Sequence, residues 1–362
     1  MINLLGGLNL EQYKKANFFM DKLLQFFNRL HTLLAKPLKY ILRGIAGVVL
    51  LWCFGVIYYL LPLPKWINFV LGIAFSIWAA YSLFGKRYTR GKLYGLLGIM
   101  LIICYYSNIH PTNDRNWQSS FARNAFAEFY DNSPDKVTIH NIRNFKYRSV
   151  TDFDVKYQKA DYNLNDLESL DFIVVHWDDN QSIAHTMLSF GFKDGRHLVF
   201  SMETRLDSDD EQGAIPGLFK QFELICVVGT EADLLGLRTN FRHEELYLYR
   251  TTLTPEEIRL SFNNMLTYLN YLNQNAEFYN TLTHNCTTSL ATISVETPRK
   301  LKITEKLQIL FNGYSDLYAY NRNKLQIKPG ESFKELKRRS YVNPLVEYKK
   351  IDEYYSQNIR ER

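Results

Sequence analysis

One cysteine in polar sequence is the first candidate for covalent chemistry in this chain. Cys286 lies in the stretch YNTLTHNCTTSL (279–290). The other three cysteines lie in apolar sequence, where a cysteine usually packs as a small hydrophobic side chain: Cys53, Cys104 and Cys226. No CxxC pair occurs, so the sequence predicts neither a zinc site nor a disulfide framework, and we expect no metal or cofactor. Cys286 is therefore the candidate nucleophile.

A predicted hairpin supplies the histidine and the carboxylate that a thiol nucleophile needs. Residues 184–192 and 197–205 alternate in polarity and are joined by a short loop ending in Gly195. If Gly195 is left-handed in a three-residue loop, the hairpin has one apolar face and one polar face. The apolar face collects Leu188, Phe190, Phe192, Leu198, Phe200 and Met202, and the polar face collects His185, Ser189, His197, Ser201 and Glu203. A two-residue turn would mix the faces, so we expect His185 to lie across from Glu203.

These three groups are chemically sufficient for nucleophilic catalysis. A thiol needs a neighbouring base to become a thiolate, and an imidazole needs a third polar group to hold its tautomer, which Cys286, His185 and Glu203 could provide. Asn285 could cap a helix that begins at Cys286, which would direct backbone N–H groups at a developing oxyanion. A structural role for the cysteine and the histidine remains the alternative at this point.

Apolar runs explain the basic N-terminal part of the chain. Residues 1–92 carry twelve Lys/Arg and two Asp/Glu, a net +10, so the remainder carries −4 of the total +6. This distribution indicates membrane-flanking segments and does not favour nucleic-acid binding. Residues 44–61, 66–84 and 93–107 are apolar, and the first two have the length of about 18 to 20 residues that a bilayer requires. The sequence predicts three transmembrane helices.

The loops between these helices predict their orientation. Lys36, Lys39 and Arg43 precede the first span, and four basic residues lie in GKRYTRGK (85–92) before the third. The positive-inside rule puts both segments in the cytoplasm and everything after residue 108 on the far side. Residues 1–40 form an amphipathic segment that suits a helix in the membrane interface or a cytoplasmic helix packed on its own chain. We therefore divide the chain into 1–40, a membrane region 41–108 and an extracytoplasmic domain 109–362.

Residues 109–362 read as an α+β domain with a largely antiparallel sheet. Short segments rich in β-branched and aromatic residues predict strands at 172–177, 184–192, 197–205, 223–230 and 244–252. Thr254, Pro255 and Glu257 predict the start of an amphipathic helix that extends to about Asn273. Strands followed by helices are typical of the α+β class.

An ordered set of segments resembles one known family. IHNIRNFKYRS (139–149), AHTMLSFGF, VFSMETR, LRTNFRHEELYLYR (237–250) and YNTLTHNCTTSL are similar to domain of unknown function 4105, now named for the periplasmic domain of the lipoprotein N-acyltransferase Lnb. The resemblance covers most of the chain from about residue 130. It implies that His185 and Cys286 are the catalytic pair and that the fold is a permuted papain-like one, similar to the NlpC/P60 and lecithin:retinol acyltransferase group. Ala184 departs from the glycine expected before the histidine.

The resemblance also implies a reaction and a location. It points to acyl transfer from a phospholipid, through a thioester on Cys286, to the N-terminal amine of a lipoprotein in a bacterial inner membrane, with the domain in the periplasm. Three function classes remain open: this acyltransferase, a cysteine hydrolase of peptide or ester bonds, and a non-catalytic envelope binding module. Tyr279 is a candidate oxyanion donor alongside Asn285. Candidate phosphate ligands are Arg143, Asn144, Arg205 and Arg238, for which ion pairing within the protein is the alternative.

Overall fold

Two compact units make up the chain, Met1–Asn108 and Ile109–Arg362. The computed structural model describes residues 10–85, 89–177, 181–293 and 312–361. Residues 86–88 of the predicted basic loop lie outside the described residues.

The first unit consists of three helices: α1 Leu10–Leu60, α2 Lys65–Phe84 and α3 Thr89–Ser107. Two stretches are long and apolar enough to cross a bilayer, Pro37–Leu60 and Lys65–Phe84. The helix α3 forms where the third span is predicted. It is not apolar enough over a membrane-spanning length, because it opens with the polar, basic sequence TRGK. The described part of the chain therefore has two candidate spans where the sequence predicts three.

The amphipathic N-terminal segment and the first span form one continuous helix. α1 runs through Pro37, so no break separates the segment 10–36 from the apolar stretch that follows. Near the end of α1, the buried Asn68 side chain of α2 donates hydrogen bonds to the carbonyl oxygens of Tyr58 (3.1 Å) and Leu61 (2.9 Å). The one strongly polar residue of the second span thus satisfies carbonyls that a helix end leaves without intrahelical partners.

The second unit is built on an antiparallel sheet. Its strand order is β1-β2-β9-β8-β7-β6-β10, with β5 also paired to β2, and its one parallel contact joins β2 to β9. The strands are β1 Phe126–Phe129, β2 Lys136–Arg143, β5 Tyr157–Asn163, β6 Leu167–His176, β7 Ala184–Phe192, β8 His197–Arg205, β9 Glu223–Thr230 and β10 Glu245–Arg250, and a separate pair consists of β3 Lys146–Tyr147 and β4 Phe153–Asp154. The predicted mixed α+β class with a largely antiparallel sheet is confirmed.

Helices cover both faces of this sheet. They are α4 Glu231–Gly236, α5 Pro255–Gln274, α6 Cys286–Ile293, α7 Ser315–Asn321, α8 Phe333–Ser340, α9 Asn343–Val346 and α10 Tyr355–Asn358, with a π-helical turn Leu237–Phe241 after α4. One core cluster joins the apolar face of the sheet to α5 and α6. A second joins the opposite face to α4, α9 and α10.

The β7–β8 hairpin has the predicted register. The Phe192 amide donates to the Arg196 carbonyl (3.0 Å), Gly195 has φ +83°, and Leu188 pairs with Phe200. All six residues of the predicted apolar face lie in, or pack against, the core beneath α5. The left-handed glycine is what allows the three-residue loop, because a side chain there would crowd its own backbone.

Helix α5 also begins where the sequence predicts. The Thr254 hydroxyl accepts from the Glu257 amide, and the Glu257 carboxylate accepts from the Thr254 amide, so the capping box is complete. The predicted strands 184–192, 197–205 and 223–230 match β7, β8 and β9. Strands β1 to β5 were not among the predicted strands, although β2 alternates between polar and apolar residues from Lys136 to His140.

Candidate active site

Cys286 is the first residue of α6. The Asn285 side-chain oxygen accepts from the Thr288 amide (2.9 Å), and the Thr288 hydroxyl accepts from the Asn285 amide (2.8 Å). This reciprocal cap fixes the start of the helix as predicted and puts the sulfur at its positive end, which favours a thiolate. The side chain of Cys286 is buried, with 5% of the residue exposed.

A serine links the histidine to the carboxylate. The His185 Nε2 atom lies 2.6 Å from the Ser201 hydroxyl oxygen and 3.1 Å from the Glu203 Oε1 atom. The Ser201 hydroxyl donates to the same Glu203 oxygen at 2.6 Å. Since the serine has a single proton and gives it to Glu203, the Nε2 atom of His185 must be the donor toward Ser201. This fixes the tautomer and leaves Nδ1 for the thiol.

The thiol interacts with His185 and with Thr186. Burial alone would raise the pKa of Cys286, but the positive charge of His185 and hydrogen bonds from His185 and Thr186 outweigh it and lower the pKa. The Thr186 hydroxyl also lies 3.1 Å from the Thr287 hydroxyl, which ties β7 to the first turn of α6. The buried Cys226 in β9 differs, because burial raises its pKa and the negative charge of Glu203 raises it further.

His185 and Glu203 reinforce each other's charge. Burial would lower the pKa of His185, but the Glu203 carboxylate raises it well above its ordinary value. Burial would raise the pKa of Glu203, but His185, Arg238 and Ser201 hold it far below its usual range. The site therefore favours an imidazolium beside a thiolate, the charged form of a thiol nucleophile with its base.

Tyr279 and Arg238 lie close to this group. Burial raises the pKa of the Tyr279 hydroxyl, and negative charge on Cys286 and Glu203 raises it further, so the tyrosine keeps its proton. Arg238, which lies in the π-helical turn, binds Glu203 and Glu244 at 3.1 Å each. Its contact with Glu203 orients the carboxylate, and the predicted role of Arg238 as a phosphate ligand stays a prediction.

The other candidate phosphate ligands have internal partners. Arg143 is 6% exposed and forms a buried ion pair with Asp233 (2.8 Å). Arg205 is 2% exposed and stacks on the Trp117 ring at 4.2 Å. The Asn144 side chain is held by Gln158 and Thr230. These three side chains make structural contacts within the protein, as the alternative interpretation expected. Their role in phosphate binding stays a prediction.

Three residues near the thiol had no assigned role in the sequence. Ser201 was on the predicted polar face, two positions before Glu203, and this spacing was the signal for it. Thr186 follows His185 directly. Asn312, whose side-chain nitrogen lies 3.6 Å from the Cys286 sulfur, is far away in sequence and gave no signal.

A second polar cluster lies on the polar face of the same sheet. Asp171, His197 and Glu231 are close enough to share a metal ion. However, Arg360 lies 2.7 Å from both carboxylates, and Arg250 lies 2.6 Å from Asp171. Two guanidinium groups already neutralise the two acids, so this cluster is an ion-pair network, to which a cation would bring further positive charge.

Residues 153–320 match the family model described as the Lnb N-terminal periplasmic domain. The matched range contains Cys286, His185 and Glu203, and it confirms the resemblance drawn from the sequence. No curated protein and no solved structure matches the chain.

Proposed function

From the match of residues 153–320 to the Lnb N-terminal periplasmic domain, we propose that this is an envelope-associated, membrane-anchored thiol acyltransferase. The acyl donor is a phospholipid and the acceptor is the N-terminal amine of a lipoprotein. The observation that carries the proposal is the buried Cys286 thiol at the start of α6, paired with His185, whose other ring nitrogen contacts Ser201 and Glu203.

The first half-reaction forms a thioester. The Cys286 thiolate attacks the ester carbonyl carbon, a C–S bond forms and negative charge develops on the carbonyl oxygen. When the tetrahedral intermediate collapses, the ester C–O bond breaks and the His185 imidazolium gives its proton to the departing lysolipid oxygen. Ser201 and Glu203 hold the imidazole by its Nε2 atom throughout, so Nδ1 is the atom that exchanges the proton.

The second half-reaction returns the enzyme to its starting form. The α-amine of the lipoprotein attacks the thioester carbonyl, and His185, now neutral, takes the amine proton. A C–N bond forms, the C–S bond breaks and Cys286 leaves as the thiolate beside an imidazolium. The low pKa of Cys286 makes the thiolate a good leaving group in this step.

The apolar helices of the first unit support a lipid donor. The apolar helices Pro37–Leu60 and Lys65–Phe84 are consistent with a protein anchored in the membrane whose domain faces the periplasm. α3 then serves as a third span of an inner-membrane protein. The order of the site residues, with Cys286 after His185 and Glu203, is the order expected of the circularly permuted papain-like fold that we propose for this domain.

The test is a search for the acyl-enzyme. The detergent-solubilised full-length protein is incubated with phospholipid in the absence of an acceptor. The mass of the peptide that contains Cys286 is then measured by mass spectrometry. We expect a hydroxylamine-sensitive increase equal to one acyl chain, which is lost in Cys286→Ser and in His185→Ala. Cys226→Ala is the matched control, because that thiol is also buried but burial raises its pKa and keeps it protonated, so its loss should leave the adduct unchanged.

Addition of a lipoprotein acceptor distinguishes the function classes. Transfer of the acyl chain to the N-terminal amine supports the acyltransferase. Release of free fatty acid alone, with the acceptor present, would move the protein into the hydrolase class. Full activity in Cys286→Ser would end the nucleophile hypothesis and leave Cys286 with a structural role. If the native protein forms no acyl-enzyme and releases no fatty acid, the non-catalytic binding module is favoured.

A further inference from the structure

A half-buried asparagine contacts the Cys286 sulfur. Asn312 opens a short 3-10 turn, Asn312–Tyr314, and its Nδ2 atom lies 3.6 Å from the Cys286 Sγ atom. Its Oδ1 atom accepts a hydrogen bond from the Ala184 amide at 2.9 Å. A backbone N–H can only be donated to the oxygen of the side-chain amide, so the nitrogen must point at the sulfur. The orientation of the Asn312 amide is thus fixed by its own hydrogen bond.

The backbone next to Asn312 is locked onto the segment that leads into β7. The Gly313 amide donates to the Ser182 carbonyl (3.2 Å). A Cβ atom on Gly313 would lie 2.2 Å from the Gln181 carbonyl oxygen and 2.5 Å from the Ser182 carbonyl carbon, so any side chain there would force the two segments apart. Asn312 is therefore held against the same strand that carries His185, and it cannot move independently of the base.

Asn285 uses its side-chain amide mainly to cap α6. Its nitrogen donates one N–H to the Thr281 carbonyl (2.8 Å), and its oxygen accepts from the Thr288 amide. These bonds orient the helix, whose first amides, on Cys286 and Thr287, have no intrahelical acceptor. The oxyanion role of the second Asn285 N–H stays a prediction.

We infer that Asn312 is a catalytic residue of this site, a side-chain donor that stabilises the Cys286 thiolate and then the oxyanion of the tetrahedral intermediate. The inference rests on the proposed thiol chemistry and adds a donor to it. The carbonyl oxygen that gains charge is two bonds from the sulfur, so a fixed N–H donor beside the sulfur lies where this charge develops. Together with the Cys286 amide at the helix start, Asn312 supplies the second of two donors on different elements.

The test compares Asn312→Ala and Asn312→Asp with a matched asparagine elsewhere. Like Asn312, Asn343 accepts a backbone N–H through its side-chain oxygen, from Leu246, and its nitrogen donates to the Glu244 carbonyl. It is buried beside Val342 and Val346, in the core cluster on the opposite face of the sheet. In full-length protein we expect Asn312→Ala to slow acyl-enzyme formation by about 100- to 1,000-fold in kcat, with KM little changed. Asn343→Ala should keep the native rate per folded molecule.

A second measurement excludes a purely structural effect. The rate of iodoacetamide labelling of Cys286 is followed against pH. Asn312→Ala should move the profile to higher pH, because the thiolate loses a donor, and Asn312→Asp should move it further, because a carboxylate replaces that donor at almost unchanged size. Asn312→Asp also keeps an oxygen for the Ala184 amide, so it preserves the fold if the alanine variant does not.

The outcomes separate this inference from the proposed function. If Asn312→Asp forms the acyl-enzyme at the native rate with an unshifted labelling profile, while Cys286→Ser is inactive, the asparagine has no catalytic role and the proposed function stands. If Cys286→Ser is itself active, the proposed thiol chemistry is wrong, and the inference about Asn312 is wrong with it. The inference is supported if both Asn312 variants lose kcat and shift the labelling profile to higher pH. Asn343→Ala should show neither change.

Discussion

The acidity of the Cys286 thiol depends on a chain of three side chains behind it. His185 contacts the sulfur, Ser201 contacts His185, and Glu203 receives hydrogen bonds from both Ser201 and Arg238. Each link acts on the next through charge or through a fixed proton. The reactive form, a thiolate beside an imidazolium, is therefore present only between the lowered pKa of the thiol and the raised pKa of the histidine.

Removal of the Glu203 charge should raise the pKa of the Cys286 thiol. Glu203→Gln keeps the shape of the side chain but removes the charge that raises the pKa of His185, so burial should lower that pKa and the thiol should lose its cation. The pKa of Cys286 should then rise toward, or above, the ordinary thiol value of about 8.5, and labelling at pH 7 should slow by about tenfold for each unit by which the pKa exceeds 7. The readout is iodoacetamide labelling of the Cys286 peptide against pH.

An exposed carboxylate on α5 provides the control for this experiment. Glu256→Gln removes a carboxylate from the exposed first turn of α5 and should leave the labelling profile unchanged. An unchanged profile in Glu203→Gln would remove Glu203 from the site and leave Ser201 as the sole partner of the His185 Nε2 atom. Because the groups titrate together, the shift belongs to the pair and is read from the whole curve.

At the scale of elements, the β7–β8 hairpin is what brings His185 to Glu203. Its register follows from one loop and from the alternation of polar and apolar residues on its two strands. A slip of one residue would exchange the core face and the polar face along the whole hairpin. The left-handed Gly195 thus contributes to the geometry of a site at the other end of the strands.

Gly195→Ala should destabilise the domain through the backbone of the hairpin loop. Nothing lies within 4 Å of a Cβ atom at this position, so the cost arises from the backbone alone, with φ +83°. We expect a loss of about 1 kcal/mol in the free energy of unfolding, since alanine resists the left-handed region. The measure is the urea concentration at which the buried Cys226 thiol becomes open to alkylation.

The rate of acyl-enzyme formation should stay native in this variant at low urea, because the core face keeps the register. A slowed reaction in folded Gly195→Ala protein would mean that the hairpin has slipped or splayed. Thr254→Ala offers a comparison of similar size, since loss of the α5 cap costs about 1 kcal/mol without touching the hairpin.

At the scale of the whole molecule, the number of spans decides which compartment holds the domain. With two spans, both ends of the chain face the same side; with three, the domain faces the opposite side from the N-terminus. α3 shows exposed apolar side chains along its length, among them Leu93, Leu97 and Leu101, which favours a lipid-facing helix despite its basic start. We expect the third helix to cross the membrane.

Reporter fusions test this prediction. A reporter enzyme active only in the periplasm should be active when fused after Leu63 or after Asn108, and silent when fused after Gly85. A reporter active only in the cytoplasm should give the reverse pattern. Cytoplasmic activity after both Gly85 and Asn108 would mean that α3 does not span, and it would put the domain away from its proposed substrates.

The sequence by itself determined the features that depend on neighbours along the chain. Residue alternation and one glycine fixed the β7–β8 register, Thr254 and Glu257 fixed the start of α5, and Asn285 fixed the start of α6 at Cys286. These are local effects, in which each side chain acts on backbone within a few residues or on its partner strand. The family resemblance and the pair Cys286 and His185 followed from the same segments.

Only the tertiary structure decided which distant groups meet at the thiol. Arg238 reaches Glu203 because a π-helical turn directs it there, Arg143 finds Asp233 instead of solvent, and Asn312 meets Cys286 across two elements. Nothing in the local pattern of these residues distinguishes a surface cation or amide from a buried one. Their partners are chosen by the packing of the helices on the sheet, because a buried polar group must find a hydrogen bond wherever the fold puts it.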